Sequence, residues 1–304
     1  QGWPLNNENN YLTQQTISGE VILNLSNTLV VSCIICTSNV KKSINLNNPQ
    51  VTKAHSTQVG TSEAICLLSY SKKWEEWLAG LIDGDGSFQL TKKGYASLEI
   101  TMDIRDEHCL KIIKNKYGGS IKLRSNANAL RYRLHHKAGL LDLIKDVNGL
   151  IRNPTRIIQL NKICYQYNII LKYPSKLTYN NGWLAGFIDA DGTITINSTN
   201  NQISISASQK TTQILEPLKE IYGGNIYIDR GKKESFKWYI TDRENIIKLI
   251  EYFKIYPLRS GKKRRLHLIP KYYELKDLKA HKAEENSALN KSWKNFYEKW
   301  LNYE

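Results

Sequence analysis

Four aspartates pose the chemical question in this sequence. Asp83 and Asp85 form one pair, and Asp189 and Asp191 repeat it with the same one-residue gap. Each pair closes an apolar run that reads as a helix, so the acids fall at the C-terminal end. There the helix dipole disfavours negative charge by about 0.3–1 kcal/mol per exposed group. Gathering both pairs into one volume would add mutual repulsion. Such a cluster becomes reasonable around a divalent cation, and hard carboxylate oxygens favour Mg²⁺ over a thiolate-seeking metal. Beside a basic surface, that chemistry is metal-assisted phosphodiester hydrolysis. A helix-end or turn role competes for Asp83 and Asp189, whereas the duplicated context favours metal binding by Asp85 and Asp191. Nucleophilic catalysis finds no support, because no Gly-x-Ser-x-Gly elbow occurs and His135-His136 has no evident partner.

The elements that must position these acids are themselves duplicated. The decapeptide Trp77–Gly86 returns as Trp183–Gly192, and Tyr117-Gly118-Gly119 returns as Tyr222-Gly223-Gly224. Repeats of this kind signal two copies of one structural unit. Ala79, Gly80 and Gly84, matched by Ala185, Gly186 and Ala190, leave a strip of each helix almost bare of side chains. Glycine inside a helix costs about 0.5–1 kcal/mol against alanine. Backbone-level packing of the two helices about a pseudo-twofold axis would offset that cost.

After each decapeptide the pattern alternates with a period of two, which predicts strands at 87–93, 95–103, 119–125 and 129–136. The second half predicts them at 193–199, 202–208, 224–230 and 235–241. Helical patterns at 107–116 and 213–221 separate the strand pairs, and patterns at 140–147 and 243–253 close the halves. The expected fold is α+β, with the order αββαββα occurring twice. We assign an extension of unknown role to 1–70, the first repeat to 71–172, a linker to 173–180, the second repeat to 181–278, and a helical tail to 279–304. The tail pattern, with Trp293, Phe296, Tyr297 and Trp300, reads as a packing helix.

The duplicated decapeptide resembles the LAGLIDADG motif over roughly residues 74–275. The resemblance implies a saddle of antiparallel strands lying in the DNA major groove. It implies that Asp85 and Asp191 bind catalytic metal, with backbone carbonyls from Gly84 and Ala190. It also places Gln209 as a water-organising residue and Lys262 or Lys263 as a lysine beside the metals. The first half departs from that pattern, with Asp103 at the place of Gln209 and Arg156 roughly at the place of the lysine. Equal cutting of the two strands is therefore in question.

Alternation also divides the strand faces. Stepping outward from Asp85 gives Ser87, Gln89, Thr91 and Lys93 as candidate DNA contacts. The later strands of the first half add Lys122, Arg124, Arg131 and Arg133. The second half offers Thr195, Asn197, Ser204, Ser206, Tyr227, Asp229, Lys237 and Tyr239. Such side chains on one face can meet base edges and phosphates, although any solvated sheet face is also polar. The halves differ at almost every such position, so an asymmetric site is expected.

Composition agrees with a polyanionic partner. The chain carries 43 Lys+Arg against 28 Asp+Glu, a formal net charge of +15 in 304 residues, and each neutralised phosphate releases counterions. Double-stranded DNA is the expected partner, with group I intron RNA, as in a maturase, the alternative. A non-enzymatic structural role would leave the clustered acids without a task. Abundant Asn, Ile, Lys and Tyr match AT-rich codons and point to a mitochondrial setting. No stretch has the roughly 18 apolar residues of a membrane span, so no membrane partner is expected. Met102 is the only methionine, and the expectation is a processed chain that acts as a monomer. Five cysteines do not make a disulfide framework at this length. Cys33-x-x-Cys36 lacks a partner pair, so buried thiols are the simpler reading than zinc.

Overall fold

The computed structural model describes residues 61–229 and 234–302, with side chains from residue 69 onward. The extension at 1–60, including Cys33 and Cys36, lies outside the described residues.

Two helices, one long and one short, carry the repeated decapeptides. α1 spans Thr61–Asp85 and α5 spans Trp183–Asp191, so each helix ends on the second aspartate of its motif. The chain then passes directly into a strand: β1 at Gly86–Leu90 and β5 at Gly192–Ile196. In the first half follow β2 (Ala96–Asp103), α2 (Glu107–Tyr117), β3 (Ser120–Leu123), β4 (Ala129–Leu134), α3 (Lys137–Val147) and α4 (Pro154–Gln166). The second half repeats the order with β6 (Ile203–Gln209), α6 (Glu216–Tyr222), β7 (Asn225–Asp229), β8 (Ser235–Ile240), α7 (Arg243–Ile255) and α8 (Lys262–Asp277). The expected αββαββα order is present twice, and one further helix, α4 or α8, follows each copy. Asn153 caps α4 by accepting from the Thr155 N–H, and Pro154 opens it, a start signal legible in sequence. α8 starts without a side-chain cap, but its buried Leu266, Ile269, Tyr272 and Leu275 recur at helical spacing.

Each half forms one antiparallel four-stranded sheet, ordered β1-β2-β4-β3 and β5-β6-β8-β7. Alternation puts Phe88, Leu98, Ile100, Tyr132 and Leu134 into the core on one face of the first sheet, against the helices. Polar residues take the other face. α9 (Ala288–Leu301) packs its buried Trp293 and Phe296 toward Tyr272 of α8, with ring centroids 6.3 Å apart for both, and its buried Trp300 against Arg265 of α8. The tail is therefore a packing helix. Cys109 and Cys164 are buried free thiols. Among the described residues no helix is long and apolar enough to cross a membrane.

Candidate metal and nucleic-acid site

The seam between α1 and α5 fixes everything at the site. A Cβ added at Gly80 would fall 2.0 Å from the Trp183 carbonyl oxygen, and one at Gly186 would fall 1.8 Å from that of Trp77. The helices thus touch backbone to backbone, closer than any side chain permits. Lower down, a Cβ at Gly84 would sit 2.4 Å from the Ala190 Cβ and 2.9 Å from an Asp191 carboxylate oxygen. The C-terminal ends of the two helices, and their acids, are brought together.

The first aspartate of each motif is structural, although not through local capping. Trp77 Nε1 donates to Asp189 at 2.8 Å, and Trp183 Nε1 donates to Asp83 at 2.7 Å, so each carboxylate receives an indole from the other repeat. Asp83 also accepts from the backbone N–H groups of Arg152 and Asn153, and Asp189 from those of Arg259 and Ser260. These bonds pin the loops that lead into α4 and α8. Burial pushes the Asp83 carboxyl up to about 7 against the pull of its three donors, and burial raises Asp189 likewise. Arg259 lies 4.9 Å from both Trp74 and Trp77 ring centroids, and Arg152 lies 5.9 Å from that of Trp183, completing the mirrored clasp.

The second aspartates line two cavities, one on each side of the seam. Asp85 lines a cavity of about 420 Å³ together with Ala190 of the other repeat, Lys262 and Asp103. Asp191 lines one of about 400 Å³ with Gly84, Arg156 and Gln209. Each cavity therefore combines the acid of one motif with the residue preceding the acid in the other motif. Burial first, and then repulsion from Asp191, push the Asp85 carboxyl up to about 7, against the attraction of Lys262 and Arg156. Burial raises Asp191 too, while Lys262, Gln209 and Arg156 hold it down.

Lys262 and Lys263 part company here. Lys262 turns its ammonium inward, donating to the carbonyls of Ile188, Asp189 and Ala190 at 2.8–3.0 Å. Lys263 is exposed at the cavity rim, since adjacent residues of a helix point some 100° apart. Arg156 does at the first helix what Lys262 does at the second: its Nη2 donates to the Gly84 carbonyl at 3.2 Å. Gln209 Nε2 donates to Asp191 at 2.5 Å. Asp103 lines the Asp85 cavity, but its carboxylate is held by the Arg105 side chain and N–H.

This donor set fits a hard divalent cation. Among the described residues the Asp85 carboxylate accepts no hydrogen bond; the group is half-buried and faces its cavity, open to a ligand. The Gly84 and Ala190 carbonyls each accept one N–H donor and keep a second lone pair. Two carboxylates and two carbonyls are all oxygen, as Mg²⁺ requires. No group of three or more His, Cys, Asp or Glu suited to a metal occurs among the described residues, so any metal held here needs the backbone oxygens.

Register locates the candidate DNA contacts. Ser87, Glu99, Arg133 and Ser120 form one rung across the first sheet, and Thr101, Arg131 and Lys122 form the next. The second sheet aligns Thr193, Ser206, Tyr239 and Asn225, then Ser208, Lys237 and Tyr227. Thr195 pairs with Ser204, and Gln89 with Ser97, on the same faces. Some expected contacts lie elsewhere. β1 ends at Leu90 because Gly94, at φ +84°, bends the chain. Thr91 then uses its hydroxyl to accept from Tyr95 N–H, and Lys93 sits in the turn rather than on the strand face. Asn197 closes the matching turn by accepting from Thr199 N–H. Arg124 falls one residue past β3. Ser206 shares the polar face but is 1% exposed. Ser97, Glu99 and Thr101 were not among the expected contacts, although the alternation of β2 carries the signal that would find them.

The sequence profile of the family described as LAGLIDADG endonuclease matches residues 78–173 and 184–273, one stretch in each half. The chain belongs to that family. It is 48% identical over 235 residues to "Intron-encoded RNA maturase bI4" of Saccharomyces cerevisiae, covering 76% of this chain and 37% of that protein. It is 37% identical over 282 residues to "Probable intron-encoded endonuclease aI2" of Debaryomyces hansenii, covering 87% and 43%. With "Intron-encoded DNA endonuclease ai2a" of Dictyostelium discoideum the identity is 40% over 235 residues, covering 76% and 75%. The chain thus spans about two fifths of the length of the first two relatives. Among solved structures, a double mutant of I-SmaMI superposes with TM-score 0.56 at 18% identity, covering 75% of this chain and 98% of that one. The I-LtrWI LAGLIDADG homing endonuclease bound to target DNA superposes at 0.55 and 17%, covering 77% and 97%. These likenesses show the fold, two packed repeats with antiparallel sheets.

Proposed function

We propose that this protein is an intron-encoded, site-specific homing endonuclease that hydrolyses both strands of a long, asymmetric double-stranded DNA site with Mg²⁺. The observation that carries this reading is the meeting of Asp85 and Asp191 at the α1–α5 seam, where each acid shares a cavity with the residue preceding the other. Each acid also lies two residues before the first polar position of a strand face, Ser87 or Thr193. The family and the endonuclease relatives support the same chemistry.

A divalent ion held there would supply an activated water and neutralise charge on the leaving oxygen. The chain's own residues do the rest. Asp85 with the Ala190 carbonyl, and Asp191 with the Gly84 carbonyl, would hold divalent metal in the two cavities. Gln209 fixes the orientation of Asp191 by donating to one of its oxygens. Lys262 and Arg156 bring positive charge to the two helix ends, where a scissile phosphate would gather negative charge. Arg131, Arg133, Lys122 and Lys237 extend that positive surface along the strands and bind phosphates or base edges. The repeats lie in one chain, so we assign a monomer with internal pseudo-twofold symmetry. The intron-encoded relatives and the Asn-, Ile-, Lys- and Tyr-rich composition support a mitochondrial location.

Incubation of the chain with a randomised duplex library and Mg²⁺ tests the proposal. A discrete long site should be cut, and Asp85→Asn should remove the cutting while retaining binding. Absence of any cut site would refute it. A group I intron maturase role, alone or beside cleavage, is the second reading, favoured by the 48% identity to the yeast RNA maturase. An RNA-only helper has no need of metal ligands, so its support of splicing should survive Asp85→Asn unchanged.

A further inference from the structure

Glu99 stands in the middle of a face that is otherwise suited to phosphates. It is opposite Arg133 in the β2–β4 register, and its side chain is 14% exposed against 50% for Arg133. An acid there opposes DNA binding unless it does something for its neighbours. Its geometry says what. Arg133 Nε donates to Glu99 Oε1 at 2.6 Å, and Arg133 Nη2 also contacts that oxygen. Arg131 Nε lies 3.8 Å from the other oxygen, Oε2. A guanidinium has five N–H donors in a rigid fork. Glu99 engages the Nε edge of Arg133, which leaves Nη1 and the outer Nη2 hydrogen as an end-on pair. Two parallel donors held in one plane match the O6 and N7 acceptors of guanine in the major groove, a pattern adenine, thymine and cytosine lack.

The second repeat has no such device at the equivalent rung. Ser206 stands where Glu99 does, and Tyr239 stands where Arg133 does. Tyr239 packs edge-on against Tyr227 at 5.0 Å between ring centroids, so an aromatic pair replaces the charged fork. Lys237, at the position of Arg131, is a point charge without planar donors.

We propose that Arg133, oriented by Glu99, reads a guanine in the half of the DNA site that lies under the first repeat, and that the matching position under the second repeat makes no such demand. Arg133 is the specificity-determining residue, and Glu99 is the positioning residue that keeps its fork aimed outward. The proposal rests on the DNA-binding reading above and extends it from partner to base.

The test is duplex selection by binding with the full chain, run in parallel for the wild type, Arg133→Lys and Glu99→Gln. The wild-type pool should carry a guanine whose replacement weakens binding about tenfold to a hundredfold, the range for one good bidentate contact. Arg133→Lys keeps the charge and loses the fork, so that one position should relax while the rest of the site is unchanged. Glu99→Gln removes a negative charge from the DNA face. It should bind unrelated duplexes more tightly than the wild type while discriminating less at the same guanine, a combination that misfolding cannot produce. A wild-type site whose guanine preferences all survive Arg133→Lys would overturn the proposal, as would a Glu99→Gln chain weakened equally on every duplex. A wild-type chain that enriches no duplex would overturn the DNA-binding reading itself, and this inference with it.

Discussion

The two repeats agree at the seam and disagree on the strand faces. At the seam, glycine faces a backbone carbonyl in both directions, indole meets aspartate in both directions, and a cation caps each helix end. On the faces, Glu99–Arg133 in one sheet becomes Ser206–Tyr239 in the other. Beside the acids, Gln209 binds Asp191 while Asp103 is taken up by Arg105. The difference separates two kinds of constraint. Close packing about a pseudo-twofold axis tolerates few residue types, whereas a face that reads an asymmetric partner gains from divergence.

The seam is the place to break that symmetry first. Gly80→Ala and Gly186→Ala should each prevent stable folding, because the new methyl would overlap a carbonyl oxygen at 2.0 or 1.8 Å. The cost should exceed the about 1–3 kcal/mol usual for overpacking. Denaturation midpoints would check it, and one tolerated substitution would show the helices to be less intimate than described.

The cations at the helix ends sharpen the comparison. Lys262→Ala should slow cleavage about 10²–10³-fold, the scale for losing one preorganised charge donor. Arg156→Ala should act in the same direction and more on one strand than on the other. Strand-resolved nicking rates measure both effects, and identical losses on the two strands would count against unequal cavities.

The raised Asp85 carboxyl predicts a pH effect with a definite sign. A group held at about 7 in the folded chain, against 3.8 ordinarily, binds its proton more tightly when folded. Its contribution to stability is therefore full below about pH 4 and is lost as pH rises through about 7. Without divalent cation, Asp85→Asn should raise stability above pH 7 by about 2 kcal/mol, a discounted value because the group borders a cavity. The gain should vanish near pH 4. Melting curves at several pH values test it, and added Mg²⁺ should stabilise the wild type more than the variant.

The smallest effect compares the two indoles. Trp77→Phe and Trp183→Phe each remove one donor from a buried aspartate that keeps its backbone donors. Each should cost about 1 kcal/mol or somewhat more, and the two losses should be alike. A marked inequality in thermal unfolding would show that the clasp is not shared evenly.

Much of this was legible in the sequence because duplication exposes it. The decapeptides gave the seam, and the period-two alternation gave the strands and the side on which Arg131, Arg133 and Lys237 lie. Strand ends were less legible: Thr91, Lys93 and Asn197 fit the alternation, yet turn geometry at Gly94 and at Asn197 removes them from the face. α4 and α8 lie beyond the αββαββα order that the pattern predicts, although Asn153-Pro154 is a helix start. Other features depend on contacts between residues distant in the chain. Nothing local distinguishes Lys262 from Lys263, or tells that Asp83 would accept an indole N–H from residue 183. The service of Glu99 to two arginines on a neighbouring strand follows only from the register.

The most direct test of the shared seam is Mg²⁺-dependent cleavage of the selected duplex by Asp85→Asn and by Asp191→Asn, with binding measured alongside. Either substitution should abolish double-strand breaks while affinity for the site stays close to that of the wild type. Double-strand cutting that continues at the wild-type rate in either variant would contradict the account.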